Sequence, residues 1–343
     1  MTAADVAFER KTMATARHRT AWIEAGPTDG PLMMLLHGWP ELGLVWRAQI
    51  EHFASAGWRC VAPDMRGYGG SSAPASTAAY AVRELVADMV ELHDALGGKP
   101  AIWVGHDWGS AVAWAVASHH AARCRGVVNL CVPYLARGLA LPNLVPLVDR
   151  ALYPIDRYPV GQWDYWLFYR EHFDQAARDF EADTAATLSL LYRTGSTEAI
   201  GKPAFSASIR ANNGWFGAAG RAQVMPRDDA LLSQADFDEL VASFHAVGFR
   251  GADAWYMNDA ANLAHAAEAP HGGRLALPAL FLHAEHDVVC DTVHSRLADP
   301  MRQDCADLTE VTIGAGHQLM LERPDDVNSA IAGWLSAGRF EGG

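Results

Sequence analysis

The segment Gly105-His106-Asp107-Trp108-Gly109 restricts what this chain can fold into more than any other stretch. It follows Ala101-Ile102-Trp103-Val104, which reads as a buried strand, and precedes Ala111-Val112-Ala113-Trp114-Ala115-Val116, which reads as a helix. Two glycines around one residue, set between strand and helix, describe a sharp turn that tolerates no bulk and lifts its central side chain above a sheet edge. The helix that follows offers free backbone amides to negative charge at that point. The central residue is an aspartate. Capping the helix is the plain alternative role for Asp107, since Asp is favoured there. Ser110, three residues on, falls inside the helix.

The same grammar recurs along the chain. Leu32-Met33-Met34-Leu35-Leu36 reads as a buried strand, and Val82, Leu85, Val86, Met89, Leu92 and Leu96 share one helix face that stops at Gly97-Gly98. Late in the chain, Ala279 to Leu282 and Val311-Thr312-Ile313 read as strands, and a final helix opens at Pro324 with Val327, Ile331, Trp334 and Leu335 inward. The predicted class is α/β, a mostly parallel sheet with helices on both faces. The sheet is split in sequence. Residues 135–268 hold few β-branched runs and many alanines and aromatics, and read as an inserted helical cap between core parts 1–134 and 269–343. There is no internal repeat, and Gly342-Gly343 is the one loose end expected.

Composition excludes several partners. Lys and Arg number 27 against 40 Asp and Glu, a net charge of −13, which leaves no basic stripe for nucleic acid. Met1 to Met13 carries Asp5, Glu9, Arg10 and Lys11 and does not read as a secretory signal, and no run approaches the roughly 18 apolar residues of a membrane span. A cytoplasmic protein is expected. Cys60, Cys124, Cys131, Cys290 and Cys305 are scattered, form no C-x-x-C pair and read as reduced packing residues.

A carboxylate at the turn attacks saturated carbon by displacement and leaves an ester, where a serine would attack a carbonyl. Opening an epoxide and displacing a halide both fit. The ester then needs a base to activate water. Gly314-Ala315-Gly316-His317 follows the last strand as a tight loop and places His317 at the same sheet edge as Asp107. In His283-Ala284-Glu285-His286-Asp287, the acid to orient His317 is Asp287, with Glu285 competing. The His283 and His286 spacing would suit a metal on a helix, but this is a strand-to-loop segment. His37-Gly38-Trp39-Pro40 follows the strand at Leu32, so the amides of Trp39 and Trp108 are expected to form an oxyanion hole.

These residues together resemble the soluble epoxide hydrolases of the α/β-hydrolase superfamily along nearly the whole chain. The likeness is carried by His37 to Pro40, by Asp64-Met65-Arg66-Gly67-Tyr68-Gly69-Gly70-Ser71-Ser72, by Gly105 to Ser110, and by the acid and histidine loops. In the cap, Gly248-Phe249-Arg250-Gly251 with Trp255-Tyr256-Met257-Asn258 is similar to the segment carrying one family tyrosine, and Trp163-Asp164-Tyr165-Trp166 to the segment carrying the other. The resemblance implies the α/β-hydrolase fold, Tyr165 and Tyr256 as the pair that holds the oxirane oxygen, and a vicinal diol as product with water as co-substrate. Tyr169 competes with Tyr165 for the first place. A phenol keeps its proton at neutral pH and donates one hydrogen bond, which is what a nascent alkoxide requires. No metal or organic cofactor is implied. Trp39, Trp108, Trp166 and Trp255, with Trp215, are expected to wall a pocket for lipophilic or aryl epoxides.

A haloalkane dehalogenase would use the same Asp107, Asp287 and His317, with Trp108 and either Trp163 or Trp166 as halide donors. The carboxylate-binding arginines that fluoroacetate dehalogenases carry after the nucleophile are replaced here by Trp108 and Ala111. A silent binding protein on this scaffold would be expected to lack a catalytic member, and none is missing. Self-association is left open.

Overall fold

The apolar runs at Leu32, Ala101, Ala279 and Val311 all lie in strands of one eight-stranded sheet. The computed structural model describes residues 6–337; residues 1–5 and 338–343, including Gly342-Gly343, lie outside the described residues. The strands are β1 (Glu9–Ala14), β2 (Arg19–Ala25), β3 (Leu32–Leu36), β4 (Arg59–Asp64), β5 (Ala101–His106), β6 (Cys124–Leu130), β7 (Leu275–Ala284) and β8 (Cys305–Ile313), in the order β1-β2-β4-β3-β5-β6-β7-β8. β2 pairs antiparallel with both β1 and β4, and every other pair is parallel. β1 carries no apolar run because it is an outer strand largely exposed to water.

Helices α1 (Arg47–Ser55), α2 (Val82–Ala95) and α3 (Trp108–His119) connect the first strands. Between β6 and β7 come α4 (Leu141–Leu144), α5 (Asp164–Glu181), α6 (Thr184–Leu191), α7 (Gln234–Val247), α8 (Arg250–Asp253) and α9 (Asp259–Ala267), with no strand among the described residues there. The short α10 (Asp299–Asp304) precedes β8, and α11 (Leu319–Glu322) and α12 (Pro324–Leu335) close the chain. On α2 the side chains of Val82, Leu85, Val86, Met89 and Leu92 are all buried, each worth about 1.5–3 kcal/mol on full burial. The last helix of the insert is fastened to the core: Asn262 on α9 accepts a hydrogen bond from the Val82 amide at 2.9 Å, and His265 stacks on His119 of α3 with ring centres 3.9 Å apart.

Register decides where the loops meet. Leu36 lies beside Gly105 and Ala284 beside Ile313, so the loops leaving β3, β5, β7 and β8 gather at one carboxyl edge of the sheet. In open α/β sheets that edge is where ligands bind.

Candidate active site

Asp107 sits at this edge in a conformation few residues other than glycine adopt, with φ +49°. The turn is so tight that a Cβ on Gly109 would lie 2.1 Å from the Leu36 carbonyl oxygen, and one on Gly38 2.4 Å from Asp107 Cβ. The Asp107 side chain does not cap α3. Its Oδ1 accepts a hydrogen bond from the Trp39 amide at 2.7 Å, and its Oδ2 lies 3.7 Å from His317 Nε2. Trp108 opens α3, so its amide is one of the donors a helix leaves without an intrahelical acceptor. Ser110 is buried, its hydroxyl bonded to the Leu130 carbonyl.

His317 donates from Nδ1 to Asp287 Oδ2 at 2.6 Å. Asp287 Oδ1 accepts from the amides of Val289 and Cys290 at 3.0 and 2.9 Å, which fixes the carboxylate. Glu285 stands apart, with its carboxylate half exposed beside His286. Burial alone would lower the His317 pKa, but the charge of Asp287, the nearby Asp107 carboxylate and the hydrogen bond to Asp287 hold it well above its ordinary value. Burial would raise Asp287, and His317 with the two amides keeps it below the usual carboxylate range instead.

Beneath the turn is a pair that sequence reading missed. His106 Nδ1 lies 2.9 Å from Glu41 Oε1, both fully buried, outside good hydrogen-bond geometry and so a charge contact. Burial would lower the His106 pKa, but Glu41 opposite outweighs it and holds the imidazole at about 10. Glu41 Oε2 accepts from the Gly38 amide at 2.7 Å, and His106 Nε2 reaches the His317 carbonyl at 2.8 Å. The signal was Glu41 directly after His37-Gly38-Trp39-Pro40 and His106 directly before Asp107; nothing local says that they meet.

Two connected chambers flank Asp107. The larger, about 150 Å³, is walled by Trp39, Phe205, Trp215, Val289, Tyr165 and Tyr256. The smaller, about 20 Å³, is walled by Trp108, Trp163, Trp166, Leu144 and Leu297, and shares Asp107, Tyr165, Tyr256 and Cys290 with the first. Tyr165 and Tyr256 pack edge to face with ring centres 5.5 Å apart, and neither phenol is bonded to a protein group among the described residues. Burial pushes both pKa values well above 10, so each keeps its proton. Tyr169 is completely buried behind Tyr256 and lines neither chamber.

Trp39, Trp108 and Trp166 line the chambers, and Trp255 does not. Its ring packs behind Trp108 and its indole N–H is bonded to the Arg66 carbonyl at 3.1 Å. Adjacent residues on the short turn Ala254–Met257 point different ways, so Tyr256 faces Asp107 and Trp255 the core. The Trp166 indole N–H is bonded to the Tyr256 carbonyl at 2.8 Å, whereas that of Trp163 has no partner among the described residues.

Potential metal donors on Asp287, Cys290 and His317, and on His106, Cys131 and His317, lie within 4.8 Å of one another. His317 Nδ1 and Asp287 Oδ2, at 2.6 Å, are closer than the roughly 3.3 Å between two ligands of a tetrahedral ion, and are spaced as a hydrogen bond. His283 is held by Thr292 and Glu310, at 2.8 and 2.9 Å, and does not pair with His286. No helix among the described residues is long and apolar enough to cross a membrane.

Residues 31–324 match the family described as alpha/beta hydrolase fold. The chain is 32% identical over 322 residues to epoxide hydrolase A of Mycobacterium tuberculosis, covering 92% of this chain and 93% of that one. Among solved structures, epoxide hydrolase A from Mycobacterium thermoresistibile matches with a TM-score of 0.77 at 31% identity, over 96% of this chain and 99% of that one. An epoxide hydrolase from an endophytic Streptomyces matches with a TM-score of 0.78 at 30% identity, over 97% and 96%. With its sheet order, its aspartate at the turn and these relatives along its length, the chain belongs to the epoxide hydrolases of the α/β-hydrolase fold.

Proposed function

We propose that this protein hydrolyses epoxides to vicinal diols through a covalent ester on Asp107. The observation that carries the reading is the division of labour on one carboxylate: Oδ1 is bonded to the Trp39 amide, while Oδ2 is free and faces the chambers near His317. Oδ2 attacks an oxirane carbon as the C–O bond breaks, and Tyr165 and Tyr256 donate hydrogen bonds, and then a proton, to the leaving oxygen. Esterification removes the Asp107 charge that supports the His317 proton, so the imidazolium gives that proton through solvent to the phenolate left by ring opening and becomes a base when the second step needs one. Oriented by Asp287, it takes a proton from water, which attacks the ester carbon. The charge that develops on Oδ1 meets the amides of Trp39 and Trp108, and collapse breaks the Cγ–Oδ2 bond while the His317 imidazolium returns its proton to the leaving oxygen, releasing the diol and the Asp107 carboxylate.

The segment between β6 and β7 acts as a cap that brings Tyr165 and Tyr256 over the sheet edge. Aromatic walls on both sides of Asp107 fit a lipophilic or aryl epoxide, with its substituent in the larger chamber. The five free cysteines, four of them buried, fit a cytoplasmic setting.

The test is a parallel assay with styrene oxide and 1-bromobutane, following diol and halide. Diol without halide is expected. Halide without diol would keep Asp107, Asp287 and His317 and move the cap's role to the indole N–H groups of Trp108 and Trp163. Turnover restricted to small hydrophilic epoxides would overturn the substrate class alone.

A further inference from the structure

The loop that supplies the Trp39 amide is gripped from the cap at two adjacent residues. The Trp39 indole N–H donates to Asp253 Oδ1 at 3.0 Å, and the Tyr192 hydroxyl donates to the Pro40 carbonyl at 2.8 Å. Asp253 ends α8 and Tyr192 follows α6, so two separate parts of the insert converge on one core loop. The Trp39 ring is fixed between them: it stacks on Trp215 at 5.9 Å and meets Tyr256 edge on at 6.3 Å.

Asp253 is an unexpected residue at this position. It is completely buried, and its Oδ2 has no partner among the described residues, as is true of the nearby phenol oxygens of Tyr68 and Tyr169. An acid so placed weakens the fold relative to a leucine of similar size. Burial pushes its pKa well up, against the pull of the Trp39 hydrogen bond, so it sits as a neutral acid whose carbonyl oxygen accepts from the indole. A group that costs stability and contacts one functional residue is best understood by what it does to that residue.

We propose that Asp253 is a positioning residue that, together with Tyr192, lets the cap hold the Trp39 amide in place for hydrolysis of the Asp107 ester. This rests on the two-step reading above. Asp253 touches neither substrate nor Asp107, and acts through the plane and depth of the Trp39 ring, which set where its amide points. The second step depends on that amide most, because charge appears on Oδ1 only when water adds to the ester.

The test compares Asp253→Leu with Asp253→Asn. Asparagine keeps a neutral carbonyl acceptor and is expected to retain kcat within about threefold; leucine removes the acceptor and is expected to lower kcat roughly tenfold or more, since losing an oxyanion donor outright costs about 10²–10³. In Asp253→Leu, KM should fall together with kcat, and intact-protein mass should show ester accumulating under turnover, while the folded protein is at least as stable as wild type. Tyr192→Phe should have a smaller effect of the same kind and combine with Asp253→Leu less than multiplicatively, because both act on one loop. A kcat unchanged in Asp253→Leu, or Asp253→Asn as slow as Asp253→Leu, overturns the proposal. The Trp39 indole ¹⁵N–¹H resonance gives a check free of turnover: it should move in Asp253→Leu and hold in Asp253→Asn. A resonance indifferent to leucine defeats the positioning role whatever the activity. A responsive resonance in a protein that opens no epoxide would support the contact and strike the reading of the reaction.

Discussion

The floor and the roof of the site bury polar groups in opposite ways. On the floor, the loops at the sheet edge keep charges and match them: His317 with Asp287 at 2.6 Å, and His106 with Glu41 at 2.9 Å, joined where His106 meets the His317 carbonyl. On the roof, Tyr165, Tyr256 and Asp253 are as deeply buried, yet no cation among the described residues pairs with them and burial holds all three in their protonated, neutral forms. A buried charge needs a partner, and a strand end with a short loop can fix one within a few tenths of an ångström. Aromatic packing supplies shape and hydrogen-bond donors instead. The difference assigns charge-dependent chemistry to the floor and recognition of a neutral ring oxygen to the roof.

The largest effect that would break this division is at Asp107. Asp107→Ala should lower epoxide turnover by at least about 10⁴-fold, since nothing else on the floor can form the ester. Residual activity within a hundredfold, in a folded variant, would deny the covalent route. His317→Gln should lower kcat by about 10³-fold while the first step survives, so one equivalent of substrate mass appears on the protein. An unchanged intact mass after substrate addition would remove His317 from the second step. On the roof, Tyr256→Phe should slow alkylation by roughly 10 to 10²-fold, because Tyr165 still donates one hydrogen bond, and Tyr169→Phe should leave alkylation nearly unchanged. Rapid mixing with single-turnover detection separates these, and a Tyr169 effect as large as the Tyr256 effect would redraw the roof.

Most of the floor was legible in the sequence because its residues sit just past strand ends, where apolar runs and glycine turns announce them. Asp107 and His317 are of this kind, and so is Asp287, although only the fold separates it from Glu285. The roof was legible through resemblance, and only partly. Trp255 and Tyr256 are adjacent in one aromatic segment, and nothing local says that one faces the chamber while the other bonds to Arg66. Glu41 and Asp253 escaped notice for a related reason. A lone acid reads as a surface residue, and the partner that explains it lies far away in sequence, 214 residues for Asp253 and Trp39. The edge strand β1 was missed because exposure on both faces leaves no pattern to see.

The smallest effect tests the charged floor directly, through stability against pH. The folded pKa of His106, about 10, exceeds its unfolded value of about 6.5, so the stability it contributes is complete below pH 6.5 and is lost as pH rises through about 10. His317 is raised well above the same unfolded value and contributes with the same sign. Between pH 7.5 and 8.5 the folded His106 imidazole therefore holds a proton that the unfolded chain has released, and contributes a fall in unfolding free energy of about 1.4 kcal/mol per pH unit. The roof phenols add nothing in this window, because unfolded phenols begin to ionise only near pH 10; Asp253, held protonated in the fold and ionised in the unfolded chain, adds a fall of the same sign to wild type and variant alike. Buried thiols raised to about 12, such as Cys60 and Cys305, add a fall of their own only above the unfolded thiol value near 9. Histidines held below their ordinary value, His18 and His265 among them, act in the opposite sense near pH 6.5, so urea unfolding is compared over pH 7.5–8.5, where the unfolded imidazoles have lost most of their protons. Glu41→Gln, which removes the charge that lifts His106, should make the fall shallower by about one proton. A slope in Glu41→Gln equal to that of the wild type would mean that His106 is not an imidazolium in the folded protein, and the contrast between a charged floor and a neutral roof would rest on the Asp287–His317 pair alone.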